Sequence, residues 1–173
     1  MRMKNGRDDA LRHIVHPFAP LWSPGSKALI LGSLPSAASR EQGFYYGHPR
    51  NRFWRVLAAV YGCEAPVSTE EKRDFILSHG LALWDVIGQC DIRGSADSSI
   101  RAAMPNDIRP ILEGAEIRAI FTNGARAHEL YCRSILPLTG LEAVRLPSTS
   151  PANAACAFDP LVEAWSAVKE ITG

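Results

Sequence analysis

The stretch Lys27–Tyr61, KALILGSLPSAASREQGFYYGHPRNRFWRVLAAVY, decides how this chain is read. It begins with a short apolar run, Ala28 to Leu31, and turns at Gly32 and Pro35. It then crosses a long polar and aromatic segment and enters a helical pattern after Asn51. A short apolar run closed by glycine and followed by a helix fits a strand buried on both faces of a parallel sheet. In open α/β sheets, ligands bind in the crevice beyond the carboxyl ends of such strands. The connection from Gly32 to Arg50 is longer than the roughly 2 to 6 residues usual for a βα loop, which marks it as functional or disordered. Phe44, Tyr45, Tyr46, His48 and Pro49 argue against disorder. Such aromatics either lid the core or offer flat faces to a planar ligand, with Tyr45 and Tyr46 as the stacking candidates.

Outward from this stretch the pattern alternates between strands and helices. Phe53, Trp54, Leu57, Ala58 and Tyr61 recur at helical spacing, and Asn51 stands just before them as a favoured N-cap. Ser68 to Ser78 reads as a second helix, with Ser68 and Glu71 at capping-box spacing and Gly80 as its stop. Leu81 to Ile87 reads as a second buried strand with Asp85 near its carboxyl end. A carboxylate there is costly unless it is paired or functional, so Asp85 either pairs locally or meets a ligand. Cys90 to Asn106 reads as a surface loop with one short helix, Asp107 to Glu113 as helix, and Ile117 to Thr122 as the third strand. Asn123 and Gly124 are assigned to turn chemistry, and Ala125 to Leu136 to an amphipathic helix. Leu141 to Leu146 is the fourth strand, and Asp159 to Ile171 a closing helix with proline in its first turn. Upstream, His16 to Gly25 is a proline-broken approach whose Phe18, Leu21 and Trp22 pack on the first strand. The expected architecture is a single three-layer α/β/α domain over residues 16–173, with a central, mainly parallel four-stranded sheet. The loops after the first and fourth strands should meet at one edge, and residues 1–15 should form a loose tail.

Composition bounds the function. At 173 residues and 46% hydrophobic, the chain can bury the core of one ordinary domain. A net charge of +1 gives no global field toward nucleic acid, so any such contact must come from local patches and backbone amides. Cys63, Cys90, Cys132 and Cys156 are widely spaced and form no CxxC pair, which argues against a zinc or iron-sulfur ligand set. No metal and no cofactor is expected, and the cysteines should be free core thiols in a reducing cytoplasm. No stretch of about 18 apolar residues and no secretory leader is visible, so a cytoplasmic, membrane-free protein is expected.

The motifs narrow this further. GSLPS at Gly32–Ser36, followed by YYGHPRNRFWRVL at Tyr45–Leu57, resembles the first motif region of the uracil-DNA glycosylase superfamily. LPSTSPAN at Leu146–Asn153 is similar to its second motif, a strand ending in a polar Pro-Ser turn near the DNA. The two motifs occur in the expected order at opposite ends of the domain. Leu34 stands where uracil glycosylases place a polar Asp or Asn. GSLPS, the tyrosine pair and NRFW together look most like the hypoxanthine-DNA (deoxyinosine) glycosylases.

That resemblance implies a monomeric, monofunctional DNA repair glycosylase that hydrolyses the N-glycosidic bond of deaminated bases in DNA, hypoxanthine foremost. It implies that Asn51 holds the attacking water, although the N-cap reading of Asn51 stands beside this role. It places Ser148 where some relatives use histidine or asparagine, so that Asn51 and Ser148 are the catalytic candidates. Gly32, Ser33, Leu34, Tyr45, Tyr46 and Asp85 become the base-binding candidates. Hypoxanthine offers an N1–H donor where adenine has an acceptor, and an ionised Asp85 can only accept. Ser36, Arg50, Arg52, Thr149, Ser150 and Asn153 are the DNA-contact candidates, the alternatives being solvated helix charges and an ordinary Ser/Pro turn. Ala152 falls where the best-known branch inserts a leucine wedge, so Asn153 or another loop would have to fill that space. Two other readings remain: a mismatch-specific uracil glycosylase, and a module that binds damaged DNA without cleaving it.

Overall fold

The computed structural model describes residues 10–93 and 99–173. Its centre is a parallel sheet of β2 (Ala28–Gly32), β3 (Leu81–Asp85), β6 (Ala119–Asn123) and β7 (Val144–Leu146), in the order β3-β2-β6-β7. All of β2 is buried, and its side chains alternate between two cores. Ala28 and Ile30 belong to one, with Phe53, Leu57, Trp165 and Val168. Leu29 and Leu31 belong to the other, with Ile111, Ile120, Leu130 and Tyr131. Successive strand residues point to opposite faces, so a strand covered on both sides must be apolar throughout. Each fully buried Leu or Ile contributes about 1.5–3 kcal/mol of transfer free energy.

The first core is closed by α2 (Phe53–Tyr61), α3 (Thr69–Ser78) and α7 (Phe158–Thr172). The second is closed by α4 (Arg109–Gly114), α5 (Ala125–Ser134) and the short α6 (Leu136–Thr139). The expected three-layer architecture is therefore present. On the second face it carries an addition, an antiparallel sheet of β1 (Leu11–Val15), β4 (Ile87–Arg93) and β5 (Arg101–Pro105) in the order β1-β4-β5.

This second sheet corrects two expectations. Leu11–Val15 were assigned to a loose tail, but they pair in register with β4, Leu11 opposite Arg93 and Val15 opposite Gln89. Residues 1–9 lie outside the described part. Cys90–Asn106 was expected to be a loop with one short helix, yet β4 and β5 occupy most of it. Cys90 and Ile92 pack into the second core, while Asp91 and Arg93 lie on the other face. The antiparallel strands are therefore half-polar, and they lack the uninterrupted apolar run that reveals β2.

The connection after β2 is shorter than it looked, because α1 (Ala37–Gln42) lies within it. Ser36 caps this helix, its Oγ accepting the Ser39 amide at 3.1 Å, and Gly43 ends it at φ 70°. The expected Ser68–Glu71 capping box is present on α3. The outer edge of β3 is covered by Leu21, whose amide and carbonyl exchange bonds with Leu83 at 2.9 and 2.8 Å. Such a bridge protects an edge that would otherwise be open to another strand. The four cysteines were expected in the core, but Cys63 and Cys132 are exposed, Cys156 is half-buried against the first core, and Cys90 is buried in the second. Among the described residues no helix is long and apolar enough to cross a membrane.

Candidate active site

Four parallel strands deliver four chain ends to one edge. In register, Gly32 of β2 lies beside Asp85 of β3, and Asn123 of β6 beside Leu146 of β7. Between these ends and the loops that follow is a cavity of about 360 Å³. Its lining unites both sequence motifs, with Gly32 to Ser36 and Asn51 on one side and Ser148 to Ser150 on the other. Asp85, Tyr46 and Asn123 also contribute to it.

Gly32 is required by close approach. A Cβ there would collide with Asp85 Oδ1 and stand 3.1 Å from the Tyr46 hydroxyl. Asp85 Oδ1 and the Tyr46 hydroxyl therefore converge over this glycine. The other carboxylate oxygen, Oδ2, is 2.8 Å from His16 Nε2, and the side chains of this pair are 5% and 4% exposed. His16 Nδ1 in turn donates to the Phe18 carbonyl at 2.8 Å.

The tyrosines separate into two roles. Tyr45 is a core residue; its hydroxyl donates to the carbonyls of Ala19 and Leu83 at 2.9 and 3.2 Å, and its ring meets Phe18 edge-on. Tyr46 has a left-handed backbone, φ 51°, which costs energy in a residue other than glycine and concentrates at functional sites. Its ring lies flat on Phe53, with 3.8 Å between centroids. Its hydroxyl is buried, facing Asp85 and Asn123 without a well-formed hydrogen bond to either. Burial first, and the Asp85 charge second, hold both phenols well above their ordinary range, so both are neutral.

Asn51 lies at the mouth of α2 and accepts the Phe53 amide on Oδ1 at 3.0 Å. The N-cap position itself is Arg52, so the expected cap at Asn51 is displaced by one residue; Asn51 satisfies the first helical amide from just outside the helix. A second lone pair on Oδ1 and the two Nδ2 hydrogens are additional hydrogen-bonding capacity on a side chain that lines the cavity.

The second motif is held from several directions. Thr149 is fully buried; its amide donates to Asn123 Oδ1 at 3.0 Å, its Oγ1 accepts from Asn123 Nδ2 at 2.9 Å, and its carbonyl accepts from the Arg52 amide at 3.0 Å. Trp165 Nε1 holds the Pro147 carbonyl at 2.9 Å, and Asn153 Nδ2 holds that of Ser148 at 3.0 Å. Ser148 Oγ accepts the Ser150 amide at 3.1 Å, so its own O–H is still a donor. Ser148 also packs against Gly124, whose φ is 97° and where a Cβ would sit 2.9 Å from Ser148 Cβ.

Of the residues singled out in the sequence, Gly32, Ser33, Leu34, Ser36, Tyr45, Tyr46, Asn51, Asp85, Ser148, Thr149 and Ser150 line the cavity. Several have structural duties that the sequence did not show. Tyr45 packs and Thr149 anchors. Arg52, expected on phosphates, donates from Nη1 to the Cys156 carbonyl at 2.6 Å and from Nη2 to that of Asn153 at 3.0 Å. Arg50 and Arg52 lie outside the cavity, in a shallow open depression shared with Pro49, Arg55, Pro151 and Ala154. Asn153 lies outside the cavity too, tied back to Ser148. Two residues of the site were missed. Asn123 resembles ordinary turn chemistry in sequence, and His16 reaches Asp85 across 69 positions. Among the described residues no group of three or more His, Cys, Asp or Glu side chains could hold a metal ion.

Comparison with known proteins agrees with this geometry. The family model described as the uracil DNA glycosylase superfamily matches residues 19–169. A protein named hypoxanthine DNA glycosylase from Methanosarcina acetivorans is 36% identical over 138 residues, which is 79% of this chain and 86% of the relative. One of the same name from Methanosarcina barkeri is 30% identical over the same shares. The solution NMR structure of a candidate uracil DNA glycosylase from Methanosarcina acetivorans superimposes with a TM-score of 0.77 at 32% identity, covering 90% of this chain and 97% of that one. With the family model matched from the approach to β2 into the closing helix, the chain belongs to the uracil DNA glycosylase superfamily.

Proposed function

We propose that this protein is a monofunctional DNA glycosylase that hydrolyses the N-glycosidic bond of deaminated bases, with hypoxanthine in deoxyinosine as the preferred substrate. The observation that carries the reading is the convergence of Tyr46, Asn51, Asp85 and Ser148 on one cavity at the carboxyl edge of the sheet. Its volume of about 360 Å³ is within the range of small-molecule sites. The names of the Methanosarcina relatives support hypoxanthine as the base.

The target bond is inaccessible inside a duplex, so the nucleotide must flip out, at a cost of a few kcal/mol that is smallest for a badly paired base. Tyr46, braced on Phe53, is the stacking platform; Tyr45 supports it from the core. Asp85 Oδ1 accepts the N1–H that deamination of adenine creates, and adenine, with an acceptor at N1, is disfavoured. Guanine shares the N1–H and differs by its 2-amino group. Bond cleavage builds positive charge on the sugar and negative charge on the departing purine. The Ser148 hydroxyl and the amides of the Gly32–Ser36 turn are donors for that anion. Asn51 orients the attacking water. An amide is no base, so its contribution is positioning. Arg50 and Arg55, exposed beside the mouth, are the candidates for backbone phosphates. The work is assigned to a monomer in the cytoplasm, where the chromosome is the substrate.

The test is single-turnover incubation with duplexes containing deoxyinosine, uracil or xanthine, followed by alkali to reveal abasic sites. Release of hypoxanthine faster than uracil is expected. Faster uracil release would move the protein to the mismatch uracil enzymes. Tight lesion binding without any base release would make it a recognition module.

A further inference from the structure

His16 comes from the approach to β2, outside both motifs, yet its imidazole is buried directly behind Asp85. Its protonation can be partly read from its partners. The Phe18 carbonyl only accepts, so Nδ1 carries a hydrogen. The Nε2 to Asp85 Oδ2 contact of 2.8 Å then needs one more proton between the two atoms. That proton sits on the imidazole, giving an ion pair, or on Oδ2, giving a neutral pair. In both cases Oδ1 is left bare, and Oδ1 is the oxygen beside Gly32 and the Tyr46 hydroxyl, which line the cavity.

We propose that His16 is a positioning residue for base selection: by confining the shared proton to the Nε2–Oδ2 axis, it keeps Asp85 Oδ1 a hydrogen-bond acceptor toward the flipped base. This rests on the reading of Asp85 as the reader of the base edge. Without His16, a carboxyl this deeply buried and lacking a counter-charge takes up a proton more readily. The proton would then be free to occupy Oδ1, and the acid would donate where it should accept. An acid that donates fits the N1 of adenine, the base to be excluded. The other titratable groups facing the pair are Tyr45 and Tyr46, both neutral, with Arg73 near Tyr45. Around His16 itself are the rings of Phe18 and Trp84, which carry no charge.

The experiment is the pH dependence of single-turnover hypoxanthine release between pH 5 and 9 for wild type, His16→Phe, His16→Asn, His16→Gln and Asp85→Asn, with folding checked by circular dichroism. In His16→Phe, release relative to wild type is expected to fall by about tenfold or more at the acid end of this range and to approach wild type at the alkaline end, the direction burial imposes on a carboxyl left without its partner. His16→Asn offers an amide to Phe18 without reaching Asp85, and it carries the same expectation should the Phe variant not fold. His16→Gln offers an N–H to Oδ2 and restores the acid-side release toward wild type. An equal loss at every pH in the Phe or Asn variant, or no recovery with Gln, overturns the role of His16 while leaving the glycosylase reading intact. Wild-type release by Asp85→Asn overturns the edge-reading role and this inference with it. Absence of hypoxanthine release by wild type overturns the proposed substrate itself.

Discussion

Asn123 and Thr149 clasp each other across the carboxyl edge of the sheet: the Asn123 amide donates to Thr149 Oγ1 at 2.9 Å while Thr149 N–H returns to Asn123 Oδ1 at 3.0 Å. One residue ends β6 and the other sits in the second motif, so this reciprocal pair fixes the Ser148–Ser150 turn to the strand that frames the cavity. Thr149 is fully buried, and removing its partner strands a donor and an acceptor away from water. Asn123→Ala is expected to lose about 1–3 kcal/mol in urea denaturation, the usual cost of an orphaned buried group. Base release should fall with it, because the turn that carries Ser148 loses its anchor. Asn123→Asp retains an acceptor for the Thr149 amide and should recover part of the stability.

Gly32→Ala should be damaging out of proportion to its size. The added methyl meets the Asp85 carboxylate and the Tyr46 hydroxyl, and neither can withdraw, since one is held by His16 and the other is stacked on Phe53. Overpacking of this kind costs about 1–3 kcal/mol, and a displacement near 1 Å at a reacting site costs about 10²-fold in rate. Gly25→Ala is the control, because its Cβ would meet nothing closer than Ser23 Oγ at 3.7 Å. Thermal melts and single-turnover rates of the two variants decide the matter.

What was legible in the chain follows from how much of each element is buried. β2 announces itself because both faces are covered, so no polar residue interrupts ALIL. β4 and β5 cover one face only, and Asp91, Arg93 and Arg101 on their outer side make them read as loop. The site divides similarly. Asn51 and Ser148 were singled out through the motif resemblance, their local sequence alone reading as a helix cap and a Ser/Pro turn, and Asp85 stood out as a carboxylate in an apolar run; all three line the cavity. Tyr45 and Tyr46 could not be told apart by position, because the left-handed φ of Tyr46 that separates them is a tertiary outcome. His16 was invisible because its meaning lies wholly in a contact 69 residues away.

Arg52 ties the two motifs together. Its guanidinium holds the carbonyls of Asn153 and Cys156, and its own amide holds that of Thr149. Arg52→Met keeps the aliphatic stem and removes both side-chain bonds, which should destabilise the fold by about 2 kcal/mol, in the range for bonds to a charged group. A phosphate-binding arginine would behave differently: its loss would weaken DNA binding and lower the salt dependence of affinity while leaving the melt unchanged. Arg50→Ala is expected to follow that second pattern, measured by titration at several salt concentrations.

The capping box of α3 gives a pH-dependent contribution to stability. The Glu71 carboxylate accepts the amides of Val67 and Ser68 at 2.8 and 3.3 Å, and these two bonds hold its pKa below the usual glutamate value. A folded-state pKa that is depressed stabilises the fold above the unfolded pKa, and the contribution disappears as pH falls through the folded value. Glu71→Gln should therefore lower the melting temperature near neutral pH and converge with wild type in acid. A constant difference between the two melting curves from pH 7 to pH 3 would contradict this origin.

Asn51 combines a structural and a chemical duty, and substitutions can separate them. Its Oδ1 accepts the Phe53 amide, so Asn51→Ala should cost about 1 kcal/mol of stability, the usual net worth of one such hydrogen bond. A serine hydroxyl can accept the amide two residues on as an asparagine side chain does, so Asn51→Ser should melt close to wild type. Serine nevertheless ends at one short hydroxyl. Once that oxygen accepts the Phe53 amide it cannot also present a separate acceptor and donor pair to a water in the cavity. If water positioning is the chemical duty, Asn51→Ser should be as stable as wild type yet nearly as slow as Asn51→Ala, both down about 10²-fold or more in single-turnover hypoxanthine release. A serine variant that is both stable and fully active would reduce Asn51 to its bond with the Phe53 amide and move the search for the water-holding group to Ser148.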